Sequence, residues 1–278
     1  MNYTGTLHLK VEGFNQTAAE ECELLLRVSS GRLSYAVIHP ETKSLKVLFD
    51  AVLLHSLPVS VSELIKQNEY LSYPFKKVKV SAESFHFTFI PSELYSREGL
   101  PAYKNFLSSS KPSFFVVNQL KQTGMQVIAA LEEPVAAPFK SAFASPAFYS
   151  QAESLITGAA LYPASRRTLF LHFNSATFET LVINGQEVIF YNIYASPTTD
   201  DFNYFLLLVI QQLDLKTGEV DVLLSGEIEK YSEHYRRISK YFSSVSFADS
   251  TRLFNYQDSF KLVPLHQFFS LLSLSLCE

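Results

Sequence analysis

The chain has 278 residues, 47% of them hydrophobic and 18% charged, which is enough apolar material for two domains and excludes the composition of a disordered chain. Its formal net charge of −4 argues against nucleic-acid binding, because a nucleic-acid binder needs a basic surface to displace counterions. The two cysteines, Cys22 and Cys277, do not predict a disulfide framework. The apolar runs are far shorter than the ~20 residues that cross a bilayer, and no signal-peptide pattern is evident, so we expect a cytoplasmic protein.

The first half of the sequence predicts consecutive strands, then a mixture of helices and strands. Apolar runs rich in β-branched residues and separated by turn residues indicate strands at Cys22–Val28, Leu33–His39, Leu45–Phe49, Phe85–Ile90, Phe114–Gln119 and Met125–Leu131. Ser60 and Glu63 have the spacing of a capping box, which predicts a helix from Ser60 to Leu71. Further helices are predicted at Pro134–Ala144 and Ala152–Leu161.

The second half begins with the same plan. Strands are predicted at Thr168–Phe173, Thr177–Ile183, Glu187–Tyr194 and Val220–Leu224. Asn184-Gly185 is a type I′ hairpin signal between the second and third of these strands. Thr198 and Asp201 open a helix whose apolar residues form one stripe from Phe202 to Leu213. We expect a charged helix over Glu227–Phe242 and a last helix over Pro264–Leu272.

Both halves therefore begin with three strands that lead into alternating helices and strands. This order predicts an α/β fold with a mixed sheet in each of two lobes. We place the lobes at 1–162 and 163–278. The apolar segment Leu262–Leu276 is expected to pack back across the lobes, with an exposed docking surface as the alternative.

The duplicated plan resembles the actin-like ATPase superfamily, whose lobes have ribonuclease H-like cores. Four short segments are more specific: Phe89-Ile90-Pro91-Ser92, the helix start Asp200-Asp201-Phe202-Asn203-Tyr204-Phe205, Leu223-Leu224-Ser225-Gly226-Glu227 and Leu276-Cys277-Glu278. Together they resemble an uncharacterised bacterial family of unknown function, related to the pilus-assembly protein PilM and the division protein FtsA. The resemblance implies an actin-like fold in a bacterial cytoplasm and covers nearly the whole chain. It implies no activity, since that family has none assigned.

In nucleotide-binding members of the superfamily, the turn after the first strand of each lobe holds phosphate, and a later loop lies beside the adenosine. The corresponding residues here are Ser29, Ser30, Gly31 and Arg32, then Asn174, Ser175 and Thr177, then Ser225, Gly226 and Glu227. These turns lack an aspartate that could ligate magnesium, and the chain has only nine glycines to approach a phosphate closely. We therefore interpret Ser29–Arg32 as a hairpin turn and Ser225-Gly226 as a strand-to-helix cap, and keep a residual ligand site as the alternative.

Other chemistry is not supported by the sequence. A ribonuclease H-type nuclease needs converging carboxylates, and the first strands offer only Glu23. The seven histidines lack metal-ligand spacing, so no metal and no catalytic residue is predicted. Two basic clusters, Lys76-Lys77-Val78-Lys79 and Arg236-Arg237-Ile238-Ser239-Lys240, are interpreted as solvated faces.

Three hypotheses follow from this reading. The first is a non-catalytic actin-like protein that binds another protein, in an assembly that could bring it to a membrane through that partner. The second is a nucleotide-binding protein, weak ATPase or ligand sensor that uses the cleft between the lobes, with ATP and magnesium as its cofactors. The third is a scaffold whose cleft has no ligand.

Overall fold

The computed structural model describes residues 3–29, 31–107, 113–121, 123–162 and 166–278. Its strands are β1 (Tyr3–Lys10), β2 (Glu23–Ser29), β3 (Arg32–His39), β4 (Ser44–Leu53), β5 (Lys77–Ala82), β6 (Phe87–Pro91), β7 (Ser113–Leu120), β8 (Met125–Glu132), β9 (Ala147–Ser150), β10 (Arg167–Phe173), β11 (Thr177–Asn184), β12 (Glu187–Ala195), β13 (Asp221–Gly226) and β14 (Ser244–Phe247). Its α-helices are α1 (Gln16–Ala19), α2 (Leu57–Gln67), α3 (Leu100–Phe106), α4 (Glu133–Ala142), α5 (Gln151–Ala159), α6 (Thr199–Gln212), α7 (Glu233–Tyr241) and α8 (Phe269–Ser273).

Two mixed sheets share one strand order, which confirms the predicted α/β fold. The first sheet has the order β1-β4-β3-β2-β5-β9, and the second has the order β12-β11-β10-β13-β14. In each sheet a three-stranded antiparallel meander continues into two parallel strands. The first sheet differs by one additional antiparallel edge strand, β1. The repeat is therefore one of connectivity, as the element order predicts.

A third, antiparallel sheet of order β6-β8-β7 is inserted between β5 and β9 of the first half. Two phenylalanine side chains of β6 lie against the second half of the chain. The rings of Phe87 and Phe89 contact the ring of Tyr191 on β12 with centroid separations of 5.3 and 5.7 Å. This small sheet therefore helps to fix the position of β12 relative to the first half.

The segment around α8 contributes to the core of the first half although it lies near the end of the sequence. Helix α8 contacts β2 and β3 of the first sheet and also β13 of the second. Phe269 and Leu272 are fully buried in the same apolar cluster as Leu24 and Leu25 of β2.

The Lys79 ammonium, buried on β5, donates a hydrogen bond of 2.9 Å to the Ser275 carbonyl. Lys79 is thus not on a solvated face, contrary to the sequence-based interpretation.

The hairpin predicted at Asn184-Gly185 is confirmed, but its turn is not the predicted type I′ turn. Asn184 pairs with Glu187, so Gly185 and Gln186 are the two central residues, and of these only Gly185 has a positive φ, +63°, as in a type II′ turn. The predicted start of the long helix in the second half is confirmed in detail. Thr198 caps α6, and its side chain and that of Asp201 form the reciprocal hydrogen bonds of a capping box. The stripe that begins at Phe202 faces the core of the second half.

Two helix boundaries predicted from the sequence are wrong. Helix α2 begins at Leu57, after Ser56, and Ser60 lies buried within it; Pro58 occupies the first turn, where its missing N–H costs nothing. The charged helix expected over Glu227–Phe242 begins only at Glu233, where Ser232 caps it. Tyr231 has φ of +70°, a left-handed conformation that ends any helical path before this cap.

Candidate functional site

The ends of β2 and β10 face each other where the two sheets meet, and polar side chains join them. The Arg27 guanidinium of β2 donates to the Asn174 side-chain oxygen at 2.9 Å. Asn174 follows β10 and in turn donates to a carboxylate oxygen of Glu83 at 2.8 Å. The Thr177 hydroxyl donates to the same Glu83 oxygen at 3.0 Å. Because Glu83 follows β5 of the first sheet, these bonds connect the two halves of the chain directly.

The most deeply buried charge in this region is Glu179 of β11. Its carboxylate lies 3.3 Å from the Arg27 guanidinium and accepts a hydrogen bond of 2.8 Å from the Tyr191 hydroxyl. The side chain of Glu179 is fully buried, and this burial raises its pKa to about 7 even though Arg27 opposes the shift. Removal of either charged group would leave the other without its compensating charge.

A second ion pair joins the halves at the rim of the same region. Arg32, at the start of β3, forms an ion pair with Asp50 of β4 and lies 3.4 Å from the Glu227 carboxylate that follows β13. The Ser175 hydroxyl donates to Glu227 at 3.2 Å. Burial raises the pKa of Glu227, and Arg32 opposes that shift. Glu227 is thus held by groups from both halves.

Gly226 is the residue that lets β13 approach β10 so closely. It has φ of +79°, and a Cβ here would lie 2.0 Å from the Phe173 carbonyl oxygen. The Glu227 N–H donates to that carbonyl at 2.8 Å, which directs the chain towards Arg32. The expected role of Ser225-Gly226 as a strand-to-helix cap is therefore wrong, since the next helix begins at Glu233.

Ser225 and His172 form a buried polar pair behind this turn. Their side chains are 2.9 Å apart, with Nδ1 of the imidazole facing the hydroxyl. His172 is fully buried, which lowers its pKa well below the ordinary value and favours the neutral ring. Its Nε2 has no hydrogen-bond partner among the described residues. Neutral histidine adds no positive charge to the cleft.

The space left between these groups is small. The cavity bounded by Arg27, Arg32, Asp50, Asn174 and Glu227 has a volume of about 30 Å³, room for little more than a water molecule. Ligand pockets for small molecules usually measure about 300–1,000 Å³. The side chains that join the halves fill most of the space between the ends of β2 and β10.

A larger cavity of about 250 Å³ lies on the other side of Ser29. It is lined by apolar side chains such as Leu57, Phe85 and Val135, together with the carboxylates of Glu83 and Glu132. Among the described residues, no lysine or arginine lines it. Its acidic and apolar lining does not suit a polyphosphate.

The structure brings together most of the residues predicted from the sequence. Ser29, Arg32, Asn174, Gly226 and Glu227 line the small cavity. Ser175 and Thr177 bond to carboxylates at its edge, and Ser225 bonds to His172 behind it. Gly31 lies in the exposed turn between β2 and β3 with φ of +75°, and Ser30 lies outside the described residues.

Sequence reasoning missed the carboxylates of Asp50, Glu83 and Glu179, which come from neighbouring strands. A signal was available for two of them. Glu179 interrupts the apolar run of β11, and Asp50 interrupts that of β4, in strands that are otherwise mostly buried. A charged residue at such a position has to find a partner. Within the described part of the chain, no three metal-ligating side chains cluster in a way that could hold an ion.

Solved structures share this architecture at low sequence identity. A Bacteroides thetaiotaomicron protein with an actin-like ATPase fold and unknown function aligns with a TM-score of 0.79 and 19% identity, covering 95% of this chain and 99% of that one. A structure of the PilM-PilN type IV pilus biogenesis complex aligns with a TM-score of 0.64 and 13% identity, covering 91% and 97%. The ethanolamine utilization protein EutJ from Carboxydothermus hydrogenoformans aligns with a TM-score of 0.50 and 8% identity, covering 93% and 89%.

These similarities establish an actin-like ATPase fold, as the sequence resemblance implies. No curated protein matches the sequence. Among the described residues, no helix has both the length and the apolar character needed to cross a membrane. A family profile described as "Protein of unknown function (DUF3822)" matches residues 11–245, and the chain therefore belongs to that family.

Proposed function

We propose that this protein is a non-catalytic actin-like module that acts by binding another protein. The absence of catalysis is inferred from the closed cleft. Arg27 and Arg32 of the first half are engaged by Glu179, Asn174 and Glu227 of the second. The remaining cavity of about 30 Å³ does not admit a nucleotide.

The charges in the cleft also disfavour a nucleotide. Its guanidinium groups, Arg27 and Arg32, are already matched by the carboxylates of Glu179, Asp50 and Glu227. A triphosphate that entered would have to compete with these carboxylates for the guanidinium groups, and would be repelled by them. Opening the cleft would additionally separate Arg27 from Glu179 and Asn174 and so lose the contacts that join the halves.

The proposal that this protein binds another protein is supported by the fold. A protein of similar fold, PilM, occurs in a complex with PilN. An actin-like fold is thus suited to form a protein complex, and the present chain retains both sheets of that fold while its cleft is filled by its own side chains. We assign the protein to the class of binding modules on these grounds.

Incubation of purified protein with Mg-ATP tests the absence of catalysis. We expect no phosphate release above background. A ligand that binds only the folded state raises the melting temperature, so a protein that does not bind ATP should show no rise at millimolar ATP. Arg32→Ala removes a group at the rim of the cleft and serves as the control for contaminating ATPase. Sustained hydrolysis in the wild type that is lost in Arg32→Ala would overturn the proposal, as would a clear ATP-dependent thermal shift that this substitution abolishes.

A further inference from the structure

Helix α6 carries apolar residues on its outer side as well as on its buried side. Phe202, Leu206 and Val209 are buried in the core of the second half. On the outer side, Tyr204 is 63% exposed and Leu207 is 40% exposed. These two residues are three positions apart and therefore neighbours on the helix surface. Exposed apolar residues that adjoin on one helix face are typical of an interaction surface.

A groove of about 530 Å³ runs between α6 and α7 beside these residues. Asn203 of α6 forms one wall, and five residues of α7 form the other: Glu233, Arg236, Arg237, Lys240 and Tyr241. The Tyr241 hydroxyl donates to the Asn203 side-chain oxygen at 3.2 Å, which fixes the two helices relative to each other. Leu207 follows Asn203 by one helical turn, so the exposed apolar pair adjoins the groove.

The basic side chains of the groove differ in whether a carboxylate of this chain forms an ion pair with them. Arg237 lies 2.7 Å from the carboxylate of Asp200 and 2.8 Å from that of Glu233, so its charge is already balanced. Arg236 and Lys240 are exposed, and among the described residues neither has a carboxylate within ion-pair distance. The groove therefore offers two free positive charges on a chain whose net charge is negative.

We propose that the groove between α6 and α7 binds an acidic, amphipathic segment of a partner protein. Its apolar side chains would cover Tyr204 and Leu207, and its carboxylates would pair with Arg236 and Lys240. The concave shape favours a peptide with protruding side chains over the flat surface of an anionic membrane. This inference rests on the proposed binding function and adds to it a surface and a class of partner.

Selection from a phage-displayed library of random 16-residue peptides on the immobilised full chain tests the proposal. We expect enriched peptides to combine aspartate or glutamate with leucine or aromatic residues. The double substitution Arg236→Glu/Lys240→Glu is expected to weaken binding of a synthesised enriched peptide at least tenfold in fluorescence anisotropy. Leu207→Ser should weaken it by a similar factor, and 500 mM salt should weaken wild-type binding strongly.

The matched control is Arg97→Glu/Lys66→Glu, which changes the same two residue types at exposed positions of the first half. It is expected to leave the affinity within twofold of the wild type. If the enriched peptides bind Arg236→Glu/Lys240→Glu with wild-type affinity, the groove is not their binding site and this proposal is wrong. A protein-binding function at another surface would remain possible in that case. Failure to enrich any peptide, together with sedimentation of the chain on vesicles containing 30% phosphatidylserine that depends on Arg236 and Lys240, would instead identify a membrane and overturn the proposal. The Mg-ATP experiment tests the proposed function independently of both outcomes.

Discussion

Arg27 and Glu179 come from different halves of the chain, yet their charged groups lie 3.3 Å apart in the interior of the protein. The Glu179 side chain is fully buried, and that of Arg27 is 11% exposed. Arg27 also donates to Asn174, so a single guanidinium joins β2 to two elements of the second half. The pair therefore joins the two halves of the chain from within its interior.

Arg27→Ala is expected to lower the free energy of unfolding by about 3–5 kcal/mol, because it leaves Glu179 buried without its compensating charge. Urea denaturation followed by circular dichroism measures the change. Arg167→Ala, at an exposed arginine of β10, is the control and should cost less than about 1 kcal/mol. A loss below 1 kcal/mol for Arg27→Ala would show that the ion pair contributes little to the contact between the halves.

Gly226→Ala should destabilise the protein more than Gly185→Ala does. Both glycines have positive φ, +79° and +63°, and the left-handed conformation alone costs about 1–2 kcal/mol for alanine. Gly185 has open space where a Cβ would be added, whereas the Cβ at position 226 would lie 2.0 Å from the Phe173 carbonyl oxygen. Thermal denaturation compares the two variants, and equal losses would contradict the close approach of β13 to β10.

Glu153→Gln is expected to flatten the pH dependence of stability. Burial of Glu153 raises its pKa from 4.5 to about 8, although the nearby Lys79 opposes the shift. The folded state therefore holds the proton more tightly than the unfolded state, and the free energy of unfolding falls as pH rises from about 4.5 to 8. Urea denaturation at pH 5, 6.5 and 8.5 measures this fall, which should total a few kcal/mol. Glu187→Gln, at an exposed position, should retain the wild-type slope; an unchanged slope in Glu153→Gln would show that other groups cause it.

Thr198→Ala should cost about 1 kcal/mol, because it removes the side-chain hydrogen bond to the Asp201 N–H that caps α6. Ser56→Ala is the matched control at the N-cap of α2, where the serine side chain makes no capping hydrogen bond. It should leave the melting temperature nearly unchanged. Equal effects of the two substitutions would mean that residue type at the cap, rather than the capping bond, determines the stability of these helices.

The sequence predicts those elements whose signals are local. The hairpin at Asn184-Gly185 and the Thr198 cap are each specified within four residues, and both are found, although the hairpin turn is not of the predicted type. Strand β1 has an exposed outer side and few apolar residues, so its periodicity is weak. Strands β9 and β14 have four residues each and are recognisable only through parallel pairing with β5 and β13. Such pairing depends on distant sequence and leaves no local pattern.

The candidate site shows the same division. Turn residues such as Arg32, Asn174 and Glu227 could be nominated because the duplicated plan places them at equivalent strand ends. No pattern in the sequence indicates that the Arg32 guanidinium lies beside the Glu227 carboxylate, because Glu227 is 195 positions further along the chain. The sequence therefore nominates residues that the structure brings together, and only the structure shows the ion pairs between them.

The position of α8 has a consequence for synthesis. Strand β2 emerges from the ribosome early, but Phe269 and Leu272, which cover part of it, are translated more than two hundred residues later. Translation proceeds at about 5–20 residues per second, so the apolar surface of β2 stays uncovered for on the order of ten seconds or more. Apolar surface exposed in this interval favours aggregation, and a truncation before residue 269 would leave the same surface uncovered in the finished chain.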